Sequence, residues 1–524
     1  MTRQQKTWVR ETLIGLTFVW ALWAQSAQSA QAADKLQFSV TFTQAVQDKP
    51  FTGRVLVFLG RANSQPRFGP GWFSPTPFFA KDVKDLKPGD TLVIGDDALA
   101  YPTSISQMKP GEYAIQAVID RTLDTHDVGS AAGNGFSTAI TKTLDPATSG
   151  TVALTIDQVS AGRTFNETER VKLVEIDSKL LSKFRGHPVK MRAGVVLPEG
   201  YAENPDKKYP VLYVIPGFGG NHFGAAGLQR SALATAATPA IQVMLDPDCN
   251  TGHSVFADSA NNGPVGQALI TELIPHIEKA YRAESKPWAR FVNGHSSGGW
   301  SSLWLQVAYP DFFGGTWSTS PDPIDFRDFQ QIDIYRPNEN FYKDSGGTTR
   351  PVARRGETPF AMMKDFCDQE VVLGHGGQMQ SFEAVFGPRG ADGKPKPLWD
   401  RKTGEIDPIV AEYWKKYDIN LILEKNWSTL SPKLKGKLHV ITGSLDTFYL
   451  EGAVKLVKKT LEGLGSDAVV EIHPGKDHGS VMTPELRSRI STEIWETYQR
   501  NKAKQKIVSP SITRSNHVRK FTTL

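Results

Sequence analysis

Cysteine is almost missing from this chain: Cys249 and Cys367 are the only two in 524 residues. That excludes a disulfide scaffold of the small secreted kind, and neither residue has the CxxC spacing of a metal or redox site. One bridge between the two stays open. Long apolar runs are scarce as well. The one candidate, Thr12 to Ala24, falls short of the roughly 20 residues that span a bilayer. It follows Arg3, Lys6 and Arg10 and precedes Ala30-Gln31-Ala32-Ala33, the basic, apolar and small-residue order of a cleavable export signal. Residues 1–33 are therefore expected to be removed, leaving a periplasmic or secreted chain with no stable membrane insertion. A strong charge of one sign is absent too. Of the formal +5, the stretch 501–524 supplies six basic and no acidic residues and the first 33 a net +2, so the body between stands at −3. Such a body does not suit nucleic acid. Internal repeats with a period of about twenty to fifty residues are missing.

The length exceeds the roughly 250–300 residues at which a single core stops growing, so two domains with appendages are expected. From 34 to 165 short runs alternate apolar and polar residues, as in Leu36-Gln-Phe-Ser-Val-Thr-Phe42 and Thr151-Val-Ala-Leu-Thr-Ile156, with turn formers such as Lys109-Pro110-Gly111 between them. This is the pattern of a small all-β sandwich domain. Its aromatic stretch from Phe68 through Trp72 to Phe79 offers a carbohydrate-binding platform or, the favoured reading, the packing of a long loop on its own sheet. From 166 to 500 strand and helix alternate, which predicts an α/β domain with a mainly parallel sheet and helices on both faces. Val211 to Ile215 and Ile241 to Leu245 read as buried strands. In the segment Pro264 to Tyr281, Val265, Leu269, Leu273 and Ile277 recur every four residues, as on the buried face of a helix. Residues 318–436 break the rhythm and read as an insertion over the sheet; a last helix is expected from Pro484 to Arg500, then a basic disordered tail over 501–524.

Gly294-His295-Ser296-Ser297-Gly298 fits G-x-S-x-G after a strand and before a helix, where a tight turn leaves no room for side chains two residues either side of the serine. Serine needs a base to take its proton, and histidine is the usual one. His478 follows the last strand and stands in the order serine, acid, histidine. His473 reads as structural, and His295 flanks Ser296 rather than facing it. Asp446, just past the penultimate strand, is the expected acid; Asp477 adjoins His478, and neighbours in sequence seldom aim at one another. Backbone N–H groups of Ser297 and Phe218 are the expected donors to a tetrahedral oxyanion. Phe218 lies in the turn Pro216-Gly217-Phe218-Gly219-Gly220, which lacks both the P-loop ending and the G-x-G-x-x-G spacing of nucleotide sites. His253, Asp246 and Asp258 lie in one loop, but no ligand spacing supports a metal there.

Together these residues resemble the esterase family of α/β hydrolases that includes esterase D (S-formylglutathione hydrolase), enterochelin-type siderophore esterases, feruloyl esterases and mycolyltransferases. The resemblance runs from about Val171 to Arg500. It implies Ser296 as nucleophile, His478 as base, Asp446 as its orienter, Phe218 and Ser297 as oxyanion donors, and no cofactor. Many members carry His-Gly where this chain has Pro216-Gly217. The expected activity is serine carboxylic-ester hydrolysis on a small-molecule or saccharide-linked ester. An acyltransferase or a peptidase of the same fold, or a non-catalytic surface-binding module, stands as the alternative. The prolyl-oligopeptidase kind would need a propeller that the residues before Thr164 are too few to build.

Overall fold

In the first of two compact units, residues 34–120 and 135–159, alternation along each strand sends every second side chain inward. The computed structural model describes residues 34–508 apart from Ser74 and Leu123, so the expected export signal and the end of the expected tail lie outside the described residues. Nine strands of this unit form one hydrogen-bonded sheet, antiparallel except where Gln37–Phe42 runs beside Thr151–Val159. Phe38, Val40 and Phe42 from one of those strands and Val152, Leu154 and Ile156 from the other meet residues of the remaining strands in a single core. The all-β unit is thus a single hydrogen-bonded sheet with one apolar core, where the alternation predicted a sandwich. In the aromatic stretch Phe78 and Phe79 are fully buried, whereas Phe68 and Trp72 are 60% and 39% exposed.

Residues 121–134, numbered within the expected β domain, cluster instead with the second unit. The Asn134 side chain accepts from the Arg121 and Thr122 N–H groups at 2.7 and 3.0 Å, closing this segment on itself. Thr125 and His126 then bond to Asp248.

The second unit is built on eight strands: β1 (Val171–Asp177), β2 (Lys190–Val196), β3 (Val211–Ile215), β4 (Ile241–Leu245), β5 (Arg290–His295), β6 (Thr316–Thr319), β7 (Leu438–Gly443) and β8 (Val469–His473). Their order is β1-β2-β4-β3-β5-β6-β7-β8. Only β1/β2 and β2/β4 are antiparallel. Both faces are covered: Val211, Tyr213 and Ile215 enter one core with Leu269, Leu273 and Ile277, while Leu212 enters the other with Trp317, Ile441 and Ile490. Parallel strands buried on both sides carry the continuous apolar runs seen in the sequence. The helical run 265–280 contains a π-turn over Leu269–Leu273, just before Pro275, whose ring and missing N–H do not fit an unbroken α-ladder.

Several boundaries differ from the sequence reading. Thr316–Thr319, whose end was assigned to the insertion, is a sheet strand between β5 and β7. The insertion holds a hairpin (Pro351–Arg355 with Thr358–Met362) and four α-helices, α1 (Met363–Leu373), α2 (Gln378–Phe386), α3 (Pro408–Trp414) and α4 (Ile419–Leu434). The last helix, Pro484–Val508, runs through the start of the expected tail. Asn501 donates to the Trp288 carbonyl at 3.2 Å and Lys502 lies 3.7 Å from the Glu284 carboxylate, so the body holds the start of this extension. Cys249 and Cys367 are both free thiols, which closes the disulfide question.

Candidate active site

Strand β5 ends at His295, and the next residue takes the backbone conformation φ 60°, ψ −125°, which non-glycine residues rarely adopt. This is Ser296. Its N–H donates to the Thr319 carbonyl at 3.0 Å, and its carbonyl accepts from Trp300 and Asp322 at 3.0 and 3.2 Å. The surrounding glycines make the turn feasible. A Cβ on Gly294 would sit 2.0 Å from the Gly298 carbonyl oxygen, and one on Gly298 2.0 Å from that of Ile215. The helix Ser297–Ala308 follows at once, so the Ser297 N–H lies in its first turn and has no intrahelical acceptor.

The loops after β7 and β8 are laced together at the same edge of the sheet. Ser444 N–H donates to the His473 carbonyl and Leu445 N–H to the Lys476 carbonyl, both at 2.9 Å. Gly443 permits this approach, since a Cβ there would lie 2.1 Å from the Lys476 oxygen. The lacing brings His478 Nδ1 to 2.8 Å from Asp446 Oδ2. Asp446 is fully buried, and its other oxygen accepts from the Phe448 N–H at 2.9 Å. Arg354, from the insertion's hairpin, donates to the Asp446 carbonyl at 2.9 Å and steadies the acid loop. A carboxylate at Nδ1 sets the tautomer that leaves Nε2 able to accept a proton.

His478 lies against the residue preceding the serine: its ring centroid is 4.5 Å from that of His295 and 4.9 Å from Phe448. Burial, reinforced by His478, pushes His295 down to about 3, so it stays neutral beside the base. Among the described residues the Ser296 hydroxyl makes no hydrogen bond; in such sites the serine–histidine bond often tightens only with substrate bound. The competing readings are occupied elsewhere. Asp477 accepts from the N–H groups of Gly479 and Ser480 in its own turn, and His473 pairs with Glu471.

The glycine-rich turn passes directly beside the serine. A Cβ on Gly217 would lie 3.2 Å from Ser296 Cβ and 3.7 Å from its Oγ. Phe218 therefore follows the residue that touches the nucleophile. Gly219 adopts φ 78°, and the Gly220 N–H closes the turn on the Gly217 carbonyl at 2.9 Å. His253, weighed in the sequence only as a weak metal ligand, supports this turn: its Nε2 lies 3.0 Å from the Pro216 carbonyl oxygen, and its Nδ1 accepts from the Val255 N–H. Burial lowers it to about 4, which keeps it neutral. Asp246 pairs with His222 and Asp258 accepts from the Gln267 N–H, so the three loop residues do not converge. Among the described residues no group of three or more potential ligands is placed to hold a metal.

Sequence reasoning also missed Asp322, which accepts from the Ser297 hydroxyl at 2.5 Å, and His126, whose ring lies 5.3 Å from that of Phe218. Neither has a sequence signal. One follows a strand too short to recognise, and the other sits in a turn-rich segment without period.

The family model described as "Putative esterase" matches residues 187–419. The matched span lies wholly within the second unit, which is similar to this esterase family. Ser296, Ser297 and Phe218 fall inside the matched span, whereas Asp446 and His478 lie beyond it. An endo-1,4-beta-xylanase/feruloyl esterase of Xylanibacter ruminicola is 33% identical over 135 residues, 23% of this chain and 18% of that protein, so the chain spans less than a fifth of that curated relative. Among solved structures, a ferulic acid esterase aligns at 15% identity and TM-score 0.40, covering 63% of this chain and 99% of its own. An S-formylglutathione hydrolase from Agrobacterium tumefaciens aligns at 13% and 0.35, covering 64% and 97%.

Proposed function

We propose that this protein is an exported serine carboxylic-ester hydrolase that works through an acyl-enzyme on Ser296. The observation that carries the reading is the strained Ser296 backbone at the sheet edge that also holds the buried Asp446–His478 pair. Ser296 Oγ attacks the ester carbonyl carbon while His478 Nε2 takes its proton, and Asp446 stabilises the imidazolium so formed. The carbonyl oxygen, now an oxyanion, accepts from the backbone N–H groups of Ser297 and Phe218. The tetrahedral intermediate collapses by breaking the bond to the alcohol oxygen, which receives the proton from His478. Water then repeats the sequence: His478 removes its proton, its oxygen adds to the acyl carbon, and the acid leaves as Ser296 recovers its hydrogen.

The substrate class is a small-molecule or saccharide-linked ester, in keeping with the family and with the feruloyl esterase part of the relative's name. Incubation of the purified protein with short p-nitrophenyl esters, methyl ferulate and a peptide p-nitroanilide tests this reading. Ester turnover with an inert amide is the expected result. Amide cleavage at a comparable rate, or no turnover of any ester, would overturn it.

A further inference from the structure

We infer that Asp322, with Gln378, is a positioning residue that aims the Ser297 N–H at the oxyanion; this rests on the serine-hydrolase reading above. The argument starts from the peptide between Ser296 and Ser297. In a trans peptide the C=O and N–H point in opposite directions, so whatever holds the carbonyl end also fixes the aim of the N–H end. The Ser296 carbonyl is held twice, by the N–H of Trp300 from the helix and by that of Asp322 from the loop after β6. The side chain of Ser297 is held as well, its hydroxyl donating to Asp322 Oδ2 at 2.5 Å. Asp322 thus grips both sides of one peptide, through its backbone and through its carboxylate.

The loop that carries Asp322 is itself fixed. Ser320 N–H donates to the Ile441 carbonyl of β7 at 2.7 Å. Gly299 lets the loop press on the helix's first turn, because a Cβ there would lie 2.6 Å from the Thr319 carbonyl oxygen and 3.0 Å from Pro321 Cα. From the insertion, Gln378 Nε2 donates to Ser297 Oγ at 3.1 Å and to Asp322 Oδ2 at 3.3 Å. Gln378 begins α2, whose first turn is anchored by Glu370 accepting from the N–H groups of Met379 and Gln380. Asp322 is 5% exposed and Ser297 fully buried. Burial pushes the Asp322 carboxyl up to about 6, and the Ser297 hydroxyl opposes that rise. Among the described residues no lysine or arginine is bonded to it. A carboxylate desolvated in this way costs stability, and a helix-start serine alone does not need one. Holding an oxyanion donor in register supplies a reason for it, because a preorganised donor acts only if it is already aimed when charge develops.

The test is a mutant cycle on the full chain, read with a p-nitrophenyl ester and with a trifluoromethyl ketone, which forms a tetrahedral oxyanion on the serine. Ser297→Ala and Asp322→Ala should each lower kcat about tenfold with KM within about twofold, and the double variant should be no worse than the poorer single. Ketone affinity should fall by the same factor as kcat. Asp322→Asn keeps an acceptor and should retain kcat within about threefold of the wild type. A merely structural role would lower thermal stability and leave the ratio of ketone affinity to KM unchanged. Unchanged kcat in Ser297→Ala, losses that multiply, or kcat loss without ketone loss would overturn the inference. Should Asp322→Ala fail to fold, Ser297→Ala with Gln378→Ala completes the cycle. A wild type whose Ser296 is not acylated by ester would instead defeat the parent reading.

Discussion

Two histidine–aspartate pairs in the same unit differ in what surrounds them. His478 and Asp446 sit on the loops after β7 and β8, 2.8 Å apart, with the acid fully buried and its second oxygen filled by a backbone N–H. His126 and Asp248 are 2.5 Å apart, between the segment 121–134 and the loop after β4, and Asp248 also accepts from Thr125. Burial works against the charged form of His126, but the Asp248 carboxylate outweighs it and raises the pKa above the ordinary histidine value. The His126 ring adjoins Phe218. The pair does not announce a catalytic site by itself. What distinguishes His478 is the ring contact with His295, the residue before a serine held in a strained turn.

The comparison breaks most visibly if the wrong pair carries the chemistry. His478→Ala should reduce ester turnover by at least about a thousandfold, and Asp446→Asn by somewhat less, since it mis-sets the histidine without removing it. His126→Ala should stay within about tenfold in the same assay, because its ring adjoins Phe218 rather than the serine. A thousandfold loss there would reverse the assignment. Asp477→Asn sharpens the choice of acid: its bonds are to its own turn, so steady-state rates should remain within about tenfold.

An effect on stability rather than on rate concerns His253, and its sign follows from linkage. Folded His253 titrates near 4, below the ordinary value of 6.5. Between those two values the unfolded chain binds a proton that the folded one refuses, so stability falls as pH falls through that window. The full contribution is on the order of 3 kcal/mol. Guanidinium unfolding of the wild type and His253→Gln at about pH 7 and about pH 4.5 should show the variant losing less stability across the interval. An equal loss in both would remove His253 from the account.

Much of the sheet was readable because burial on both faces writes continuous apolar runs such as Val211 to Ile215, and because Gly294 and Gly298 bracket the serine where backbone leaves no room. The places of Asp446 and His478 followed from strand order alone. Other features have no local signal. Thr316–Thr319 is four residues long and mostly hydroxylic, so it resembles a loop until its neighbours on both sides are known. The bond from His253 to Pro216 joins residues 37 apart, and that from Ser297 to Asp322 residues 25 apart. Asn501 to Val508 lack an apolar period, yet Lys, Gln and Ala favour helix, and anchors at Trp288 and Glu284 hold its start.

The central claim is that Ser296 is the nucleophile, and the most direct measurement is covalent labelling with a fluorophosphonate followed by peptide mapping. The account predicts a single modified residue, Ser296, with labelling abolished in Ser296→Ala and strongly slowed in His478→Ala. Ester turnover that persists in Ser296→Ala, or a label on any other residue of an active enzyme, would contradict it.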